Sequence, residues 1–496
     1  MDYAGYRDSE LVIGLVGAVG VQLDEVSKLI SERLSHFKYD CKNVKVSKDV
    51  IEELTSKDDS TTPYDRIDKL MTAGNSLRQQ YEDKSILAKG IAAKINHIRS
   101  QEGLKDSPLP RKAFIISSLK TPEEVKELRK IYANGFFLIG VYSSKERRLS
   151  YLQKNKNISP ERAQKLMSRD KDESDQFGQK TRDTYHLSDF FINQDGDNDK
   201  LQNDIWRILD LTFGHPFITP TFDEYAMFMA FSSSLRSADL SRQVGAVVAK
   251  DEQIIATGAN DVPRAGGGLY WPKLDVKEKA IVDEASGRDY KRGFDSNKNE
   301  QTAIIEDIMS RLTKSKDAKL SKKQLDNIKK VIKVSKVKDI TEYGRIVHAE
   351  MEAILSCARH YISTKETTLY CTTFPCHNCA KHIVASGVSR VVYVEPYPKS
   401  KATSFHSDSI SFYEREDEGD SVIFEPFVGV GPRSFFKLFS LSLGSGDVLK
   451  RKDKEGNATT FEAGNATLRM QMLPSSYIER ERFAASIIEE KLEESR

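Results

Sequence analysis

Two short stretches decide the fold of the second half of the chain: IVHAEMEAIL at residues 346–355 and TTFPCHNCA at residues 372–380. In the first, apolar residues recur at helical spacing, so His348 is predicted to open a helix. In the second, Cys376 and Cys379 are three positions apart at a predicted helix start, just after a strand pattern. They therefore lie on one face, and the helix dipole favours their thiolates. A helix–strand–helix unit is expected to bring these three side chains together.

One histidine and two cysteines form a donor set for zinc. His348, Cys376 and Cys379 would supply three protein ligands and leave the fourth tetrahedral position to water, which indicates a catalytic rather than a structural site. Zinc lowers the pKa of such a water to about 7. Glu350 is two residues from the histidine and is predicted to carry the proton as catalytic acid and base. A lone C-x-x-C also fits a redox pair, but the order H-x-E…P-C-x-x-C is the pattern of zinc nucleobase deaminases. We predict one zinc ion per chain.

These motifs resemble those of the cytidine and deoxycytidylate deaminase superfamily, whose fold is a five-stranded mixed sheet covered by the two zinc helices. The segment GANDVP at residues 258–263 resembles the family's substrate loop. By that resemblance Asn260 hydrogen-bonds the substrate's sugar and the backbone of Ala349 contacts the pyrimidine edge. Thr372 matches the threonine of the strand before the zinc cysteines and is the third expected substrate-binding residue. A long insertion before His348 departs from the family pattern.

Composition limits the class of protein. The chain has 496 residues, of which 39% are hydrophobic and 30% charged, with a net charge of +2. These values fit a soluble protein of about two to four domains and give no argument for a nucleic-acid or membrane partner. The polar N-terminus lacks the basic start of a signal peptide, and no apolar run approaches the ~20 residues that span a bilayer. Four of the five cysteines fall between Cys357 and Cys379, which favours metal binding in a reducing compartment. We predict a cytoplasmic protein.

The N-terminal half has the pattern of an α/β domain. Residues 11–20 read LVIGLVGAVG, a strand pattern that becomes glycine-rich and passes into a helix. Further strands are predicted at 113–116 and 136–141, and a helix at 122–133, after Thr-Pro. Alternating strands and helices predict a parallel, three-layer sheet over roughly residues 9–214.

A Gly- and Pro-containing stretch at 214–220 suggests a domain boundary. We therefore predict a kinase-like nucleotide-binding domain at 1–214 and a zinc deaminase domain of α/β/α architecture at 215–496. Residues 264–340 are rich in Lys and Asp and are expected to form an insertion in the second domain. Its charge runs indicate a solvated surface, with RNA or phosphate contact as the alternative.

The glycine-rich turn of the first domain can be aligned with a P-loop, taking Gly17 as the first glycine. Leu23 then replaces the lysine, and Asp24 replaces the hydroxyl residue that binds magnesium, which argues against phosphoryl transfer. A glycine turn at a helix N-terminus can still hold a phosphate through its N–H groups. Gly14, Gly17 and Gly20 are the predicted nucleotide-binding residues, and a turn needed only for packing is the alternative.

A degenerate P-loop-kinase-like domain followed by a zinc deaminase resembles the bacterial anti-phage dCTP/dCMP deaminases. Stretches that carry this resemblance include FIISSLK, GRIVHAEMEAIL and FEPFVGVGPRSF. The resemblance implies free deoxycytidine nucleotides as substrates, dUTP or dUMP as products, depletion of dCTP as an antiviral defence, and a homo-oligomer. Because constant activity would deplete the host's own dCTP, we expect restraint by an allosteric nucleotide at the N-terminal domain or by an inhibitory small RNA.

Two other functions remain open from the sequence. The first is a polynucleotide cytosine or adenosine deaminase that uses 264–340 as a nucleic-acid arm, although this arm lacks the interleaved aromatic residues that base stacking needs. The second is a nucleotide-sensing regulatory protein with a structural zinc. The intact Glu350 argues against the second, because a structural site does not need this carboxylate.

Overall fold

The computed structural model describes residues 8–55, 60, 62–104, 107–171, 178–315, 320–340, 342–395, 400–412, 421–442, 449–472 and 474–494. Its strands are β1 (Leu11–Gly17), β2 (Asp40–Lys45), β3 (Lys112–Ser117), β4 (Phe136–Tyr142), β5 (Phe190–Asn193), β6 (Gly245–Lys250), β7 (Gln253–Ala259), β8 (Lys273–Asp275), β9 (Ala280–Val282), β10 (Thr368–Thr373), β11 (Arg390–Glu395), β12 (Ile410–Ser411), β13 (Val422–Pro426) and β14 (Gly429–Val430). Its α-helices are α1 (Leu23–His36), α2 (Glu52–Leu54), α3 (Pro63–Gln80), α4 (Ile86–Gln101), α5 (Pro122–Tyr132), α6 (Lys145–Lys154), α7 (Pro160–Lys171), α8 (Thr181–Tyr185), α9 (Asn198–Thr212), α10 (Phe222–Ser234), α11 (Asp289–Arg292), α12 (Ser296–Lys314), α13 (Lys322–Val334), α14 (Ala349–Arg359), α15 (His377–Ala385), α16 (Ala402–Phe405), α17 (Phe435–Phe439) and α18 (Pro474–Glu494).

The chain forms two compact units, one made of Met1–Glu224 together with Phe427–Arg496 and the other of Tyr225–Pro426. This differs from the predicted division, which assigned everything from residue 215 onward to the second domain. The C-terminal segment groups with the first unit because β14 pairs antiparallel with β5, and Leu438 and Met470 are buried in that unit's core. Because the C-terminal tail is polar, its sequence did not indicate this packing.

The first unit contains a sheet of strand order β14-β5-β4-β1-β3-β2, in which β5, β4, β1, β3 and β2 are all parallel. Every residue of β1 is buried, as expected for a parallel strand covered by helices on both faces. The strands predicted to begin at residues 11, 113 and 136 are present as β1, β3 and β4. The pattern did not predict β2, because its sequence DCKNVK is polar and mostly exposed at the sheet edge, nor β5, which is only 4 residues long.

Helices α5 and α18 both bury side chains in the core of the first unit. Helix α5 begins as predicted: Thr121 caps it, Glu124 completes a capping box, and Pro122 occupies the first turn. The charged pattern at 480–495 predicts a C-terminal helix; α18 begins earlier, at Pro474, and brings Glu481 into the core. There Glu481 and Glu10 pair with the fully buried guanidinium of Arg99.

The second unit contains a mixed sheet of order β12-β13-β11-β10-β6-β7. β10 is antiparallel to β6 and parallel to β11. The described residues therefore give six strands where five were predicted, and the additional strand β12 has only 2 residues.

Helices cover both faces of this second sheet. A Cβ added at Gly245 would lie 1.9 Å from the carbonyl oxygen of Ala230 in α10. A Cβ added at Gly258 would lie 2.1 Å from the carbonyl oxygen of Ala349 in α14. The residue paired with Gly258 is Ala246, the neighbour of Gly245, so the two glycines point to opposite faces. They allow α10 and α14 to lie directly on the sheet, giving the predicted three layers.

The insertion is folded rather than extended. Among its described residues it contains the antiparallel hairpin of β8 and β9 and the helices α11, α12 and α13. None of the described helices is both long and apolar enough to cross a bilayer.

Candidate active site

The three predicted metal ligands stand at the ends of secondary-structure elements. His348 is the residue that precedes α14, with an extended backbone. Cys376 holds the same position before α15, and its sulfur accepts a hydrogen bond from the backbone N–H of Cys379 at 3.4 Å. Both helices therefore direct their N-termini at one point near the C-terminal end of β10, which favours anionic sulfur ligands there.

The structure brings these side chains together. The potential ligand atoms of His348, Cys376 and Cys379 all lie within 4.8 Å of one another. The Nδ1 of His348 is 3.2 Å from the sulfur of Cys379 and 3.3 Å from that of Cys376. In a tetrahedral zinc site, the Zn–N and Zn–S bond lengths place the nitrogen and sulfur ligand atoms about 3.6 Å apart. One imidazole nitrogen and two sulfurs at this spacing can bind one zinc ion.

Proton sharing in the cluster is consistent with a metal site. Hydrogen bonds from Cys379 and from His348 lower the pKa of the Cys376 thiol to about 3. The hydrogen bond to Cys376 raises the pKa of His348 to about 9, against the opposing effect of burial. Both shifts arise from contacts among these three side chains, and zinc binding would require deprotonated thiols and a neutral imidazole.

Glu350 lies in the first turn of α14 and is only 4% exposed. Burial raises the pKa of its carboxyl group above the usual value, and nearby His348 partly opposes this shift. A buried carboxyl group with a raised pKa is suited to general acid and base chemistry. Glu350, His348 and Cys376 line one cavity of about 260 Å³.

The predicted sugar-binding residue Asn260 also lines this cavity, but its amide is already engaged. Its Nδ2 donates to the carboxylate of Asp239 and to the backbone oxygen of Arg242, both at 2.8 Å. Its Oδ1 accepts from the N–H of Val244 at 2.6 Å. Asn260 therefore holds the loop 239–244 at the cavity wall, and the sequence did not single out Asp239.

Ala349 lines the cavity, whereas Thr372, the third predicted substrate-binding residue, is not among its lining residues. The hydroxyl of Thr372 accepts a hydrogen bond from the N–H of Gly245 at 3.1 Å and so joins β10 to β6. Thr373 lines the cavity instead. Successive side chains of a strand point to opposite faces, which accounts for this difference of one residue.

Other cavity residues were not predicted. Asp289, Asp295 and Asn297 come from the insertion, and Arg242 and Arg345 come from loops that precede β6 and α14. No metal-ligand or catalytic spacing pointed to them, because they are brought to the site by tertiary packing alone.

The three glycines of the predicted nucleotide site have different roles. Gly14 lies inside β1, where an added Cβ would meet the side chains of Leu119 and Phe136 at 2.7 and 2.9 Å. Packing thus explains Gly14, which corrects its assignment to phosphate binding. Gly17 and Gly20 line a second cavity, of about 390 Å³, in the first unit.

Both cationic and acidic side chains line the second cavity, the acidic ones being Asp24 and Glu25. Lys120 and Arg78 line it, and Arg78 is paired with the buried Glu124. The carboxylate of Asp170 accepts a 2.7 Å hydrogen bond from the N–H of Val19 in the glycine turn and a 2.8 Å bond from Lys120. A protein carboxylate therefore takes one N–H group that a phosphate would otherwise use.

Comparison with known proteins supports the interpretation of the second unit. Residues 220–395 match the family described as "Cytidine and deoxycytidylate deaminase zinc-binding region". Deoxycytidylate deaminase of Saccharomyces cerevisiae is 24% identical over 314 residues, which are 61% of this chain and 81% of the yeast enzyme. Deoxycytidylate deaminase of Enterobacteria phage T2 is 47% identical over 55 residues, 11% of this chain and 29% of the phage enzyme.

Similar solved structures are more distant. The dCMP deaminase from the cyanophage S-TIM5, in complex with dCMP and dUMP, is 18% identical and aligns over 42% of this chain and 99% of its own, with a TM-score of 0.24. A shikimate kinase from Acinetobacter baumannii is 12% identical and aligns over 42% of this chain and 97% of its own, with a TM-score of 0.26. The sequence match and the His-Cys-Cys group together identify a deaminase of the zinc-dependent cytidine deaminase type, a hydrolase.

Proposed function

We propose that the protein hydrolytically deaminates free deoxycytidine nucleotides, converting dCMP, dCTP or both to dUMP or dUTP and ammonia. The observation that carries the proposal is that the buried Glu350 lines one cavity with His348 and Cys376, two members of the His348, Cys376 and Cys379 group. The sequence similarity to enzymes named deoxycytidylate deaminases supports the choice of substrate.

The side chains of this cavity account for the proton transfers. Zinc held by His348, Cys376 and Cys379 would supply an activated water for attack at C4 of the cytosine. Glu350 takes one proton of that water and delivers it to N3; it then transfers the proton of the new C4 hydroxyl to the amine, which leaves as ammonia as the C4–N4 bond breaks. The backbone of Ala349 holds the pyrimidine edge.

The main alternative is deamination of cytosine or adenosine in a polynucleotide. The exposed helix α13, with no buried residues and several lysines, is the surface that favours this alternative. The test is incubation of the purified protein with dCMP, dCTP and single-stranded DNA at low and high salt. Free nucleotides should be the better substrates, whereas a strongly salt-dependent preference for DNA would support the alternative.

The proposal extends to antiviral defence through depletion of dCTP, and to assembly as a homo-oligomer, both on the family resemblance of the sequence. Measurement of dCTP pools in phage-infected cells tests the first, with Glu350→Ala as the inactive control. Light scattering of the purified protein tests the second.

We also propose that the first unit senses a nucleotide. The support is the 390 Å³ cavity at the glycine turn, which is within the size range of small-ligand sites and has Lys120 and Arg78 in its wall. Because Asp170 already accepts the N–H of Val19, an incoming phosphate must displace this carboxylate or bind beside it. The other proposed means of restraining the deaminase activity is an inhibitory small RNA bound to the lysines of α13.

A further inference from the structure

The insertion packs against buried residues of the second unit rather than projecting from it. The side chain of Arg288 is 6% exposed and pairs with Asp261 at 3.2 Å and with Asp283 at 2.9 Å. Asp261 exchanges backbone hydrogen bonds of 3.3 and 3.0 Å with Val347, the residue before His348. A buried ion pair thus connects the insertion with the backbone that carries the first metal ligand.

The insertion also holds the segment that leads into His348. The amide of Asn297 donates to the backbone oxygen of Ile340 at 2.7 Å and accepts from the N–H of Tyr343 at 3.3 Å. Gln301 is buried and donates to the same oxygen of Ile340 at 2.8 Å. The loop between α13 and α14 therefore takes its position from helix α12.

Within this loop, Arg345 faces the catalytic cavity and is oriented by the insertion. Its Nη1 donates to the carboxylate of Asp289 at 2.7 Å, and its Nη2 donates to the backbone oxygen of Gly287 at 3.0 Å. The Asp289 side chain is 6% exposed and that of Arg345 is 25% exposed. Two of the five guanidinium donors are used in this way, and both residues line the cavity that contains Glu350.

We propose that Arg345 recognises the phosphate of the nucleotide substrate and that Asp289 of the insertion is its positioning residue. This inference rests on the proposed function, which places the cytosine ring next to Glu350. A guanidinium with free donors, its plane fixed by two hydrogen bonds, is suited to bidentate contact with a phosphate. The insertion then determines which form of the substrate binds, and its role is selection of phosphorylated substrates rather than nucleic-acid binding.

The test is calorimetric titration of dCMP and deoxycytidine into Glu350→Ala protein, alone and combined with Arg345→Gln, Arg345→Lys or Asp289→Asn. Arg345→Gln should weaken dCMP binding by ~10- to 100-fold, the usual loss for a charge-assisted contact. Deoxycytidine binding should stay within about twofold, because the nucleoside has no phosphate. Arg345→Lys should restore part of the loss, and Asp289→Asn should weaken dCMP binding less than Arg345→Gln.

Enzyme kinetics and two control variants complete this test. Asp289→Asn in the active protein should raise KM for dCMP with little change in kcat. Asp307→Asn and Arg311→Gln remove an exposed ion pair of α12 in the same insertion and should change neither ligand's affinity. Equal losses for dCMP and deoxycytidine, or no loss with Arg345→Gln, would overturn this inference alone. Failure of the Glu350→Ala protein to bind dCMP, dCTP and deoxycytidine would overturn it together with the proposed function.

Discussion

The Nδ1 of His348 lies 3.2 Å from the sulfur of Cys379, although 31 positions separate the two residues in the chain. This contact joins the N-termini of α14 and α15. The two polar side chains would be costly to bury if they had no partner. Cys376→Ser is expected to lose the bound zinc and the deaminase activity, because a zinc site with three protein ligands tolerates the loss of none. Metal analysis of the purified variant measures the zinc directly.

Cys357→Ala is the matched control for that variant. Cys357 is also buried in the deaminase unit but lies outside the metal-binding group among the described residues. This control should retain one zinc per chain. A full zinc content in Cys376→Ser would mean that the ligands are wrongly assigned.

The buried ion network of the first unit gives a stability prediction. Arg99 is fully buried between the carboxylates of Glu10 and Glu481. Arg99→Met should destabilise this unit by about 3–5 kcal/mol, because it leaves two buried carboxylates without a cation. Thermal and urea unfolding measure the loss. Lys28→Met, which breaks an exposed pair with Glu32, should change stability by less than about 0.5 kcal/mol.

The proposed nucleotide site predicts a difference between two glycines with positive φ. A Cβ added at Gly20, with φ of +95°, would lie 2.8 Å from the Cβ of Arg148, whereas nothing lies within 4 Å of one added at Gly103, with φ of +80°. Both Gly→Ala changes carry a backbone cost of about 1–2 kcal/mol. Only Gly20→Ala should also abolish binding of ATP to Glu350→Ala protein.

Titration calorimetry with ATP, dATP, dTTP and dCTP checks this prediction, together with deaminase rates of the wild type in the presence of each nucleotide. ATP binding that survives Gly20→Ala would place the ligand away from the glycine turn. Absence of ATP binding to the parent protein would make the first unit a scaffold.

The sequence predicted what depends on local spacing. The H-x-E and C-x-x-C motifs fixed the positions of His348, Cys376 and Glu350 because each stands at a helix start. The side-chain pairing of Asn260 with Asp239 depends on a loop conformation that no periodicity shows. Arg345 and Asp289 meet across the insertion, 56 positions apart. Strand β14 could not be predicted either, because it has only two residues and these give no strand pattern of their own.

Glu350 is assigned as the proton carrier of a zinc deaminase and not as a metal ligand. The most direct test measures zinc content and dCMP turnover of Glu350→Ala in parallel, with Glu366→Ala as an exposed control. We predict one zinc per chain in both variants, no detectable dUMP formation by Glu350→Ala, and wild-type turnover by Glu366→Ala. Retained turnover in Glu350→Ala would contradict the account.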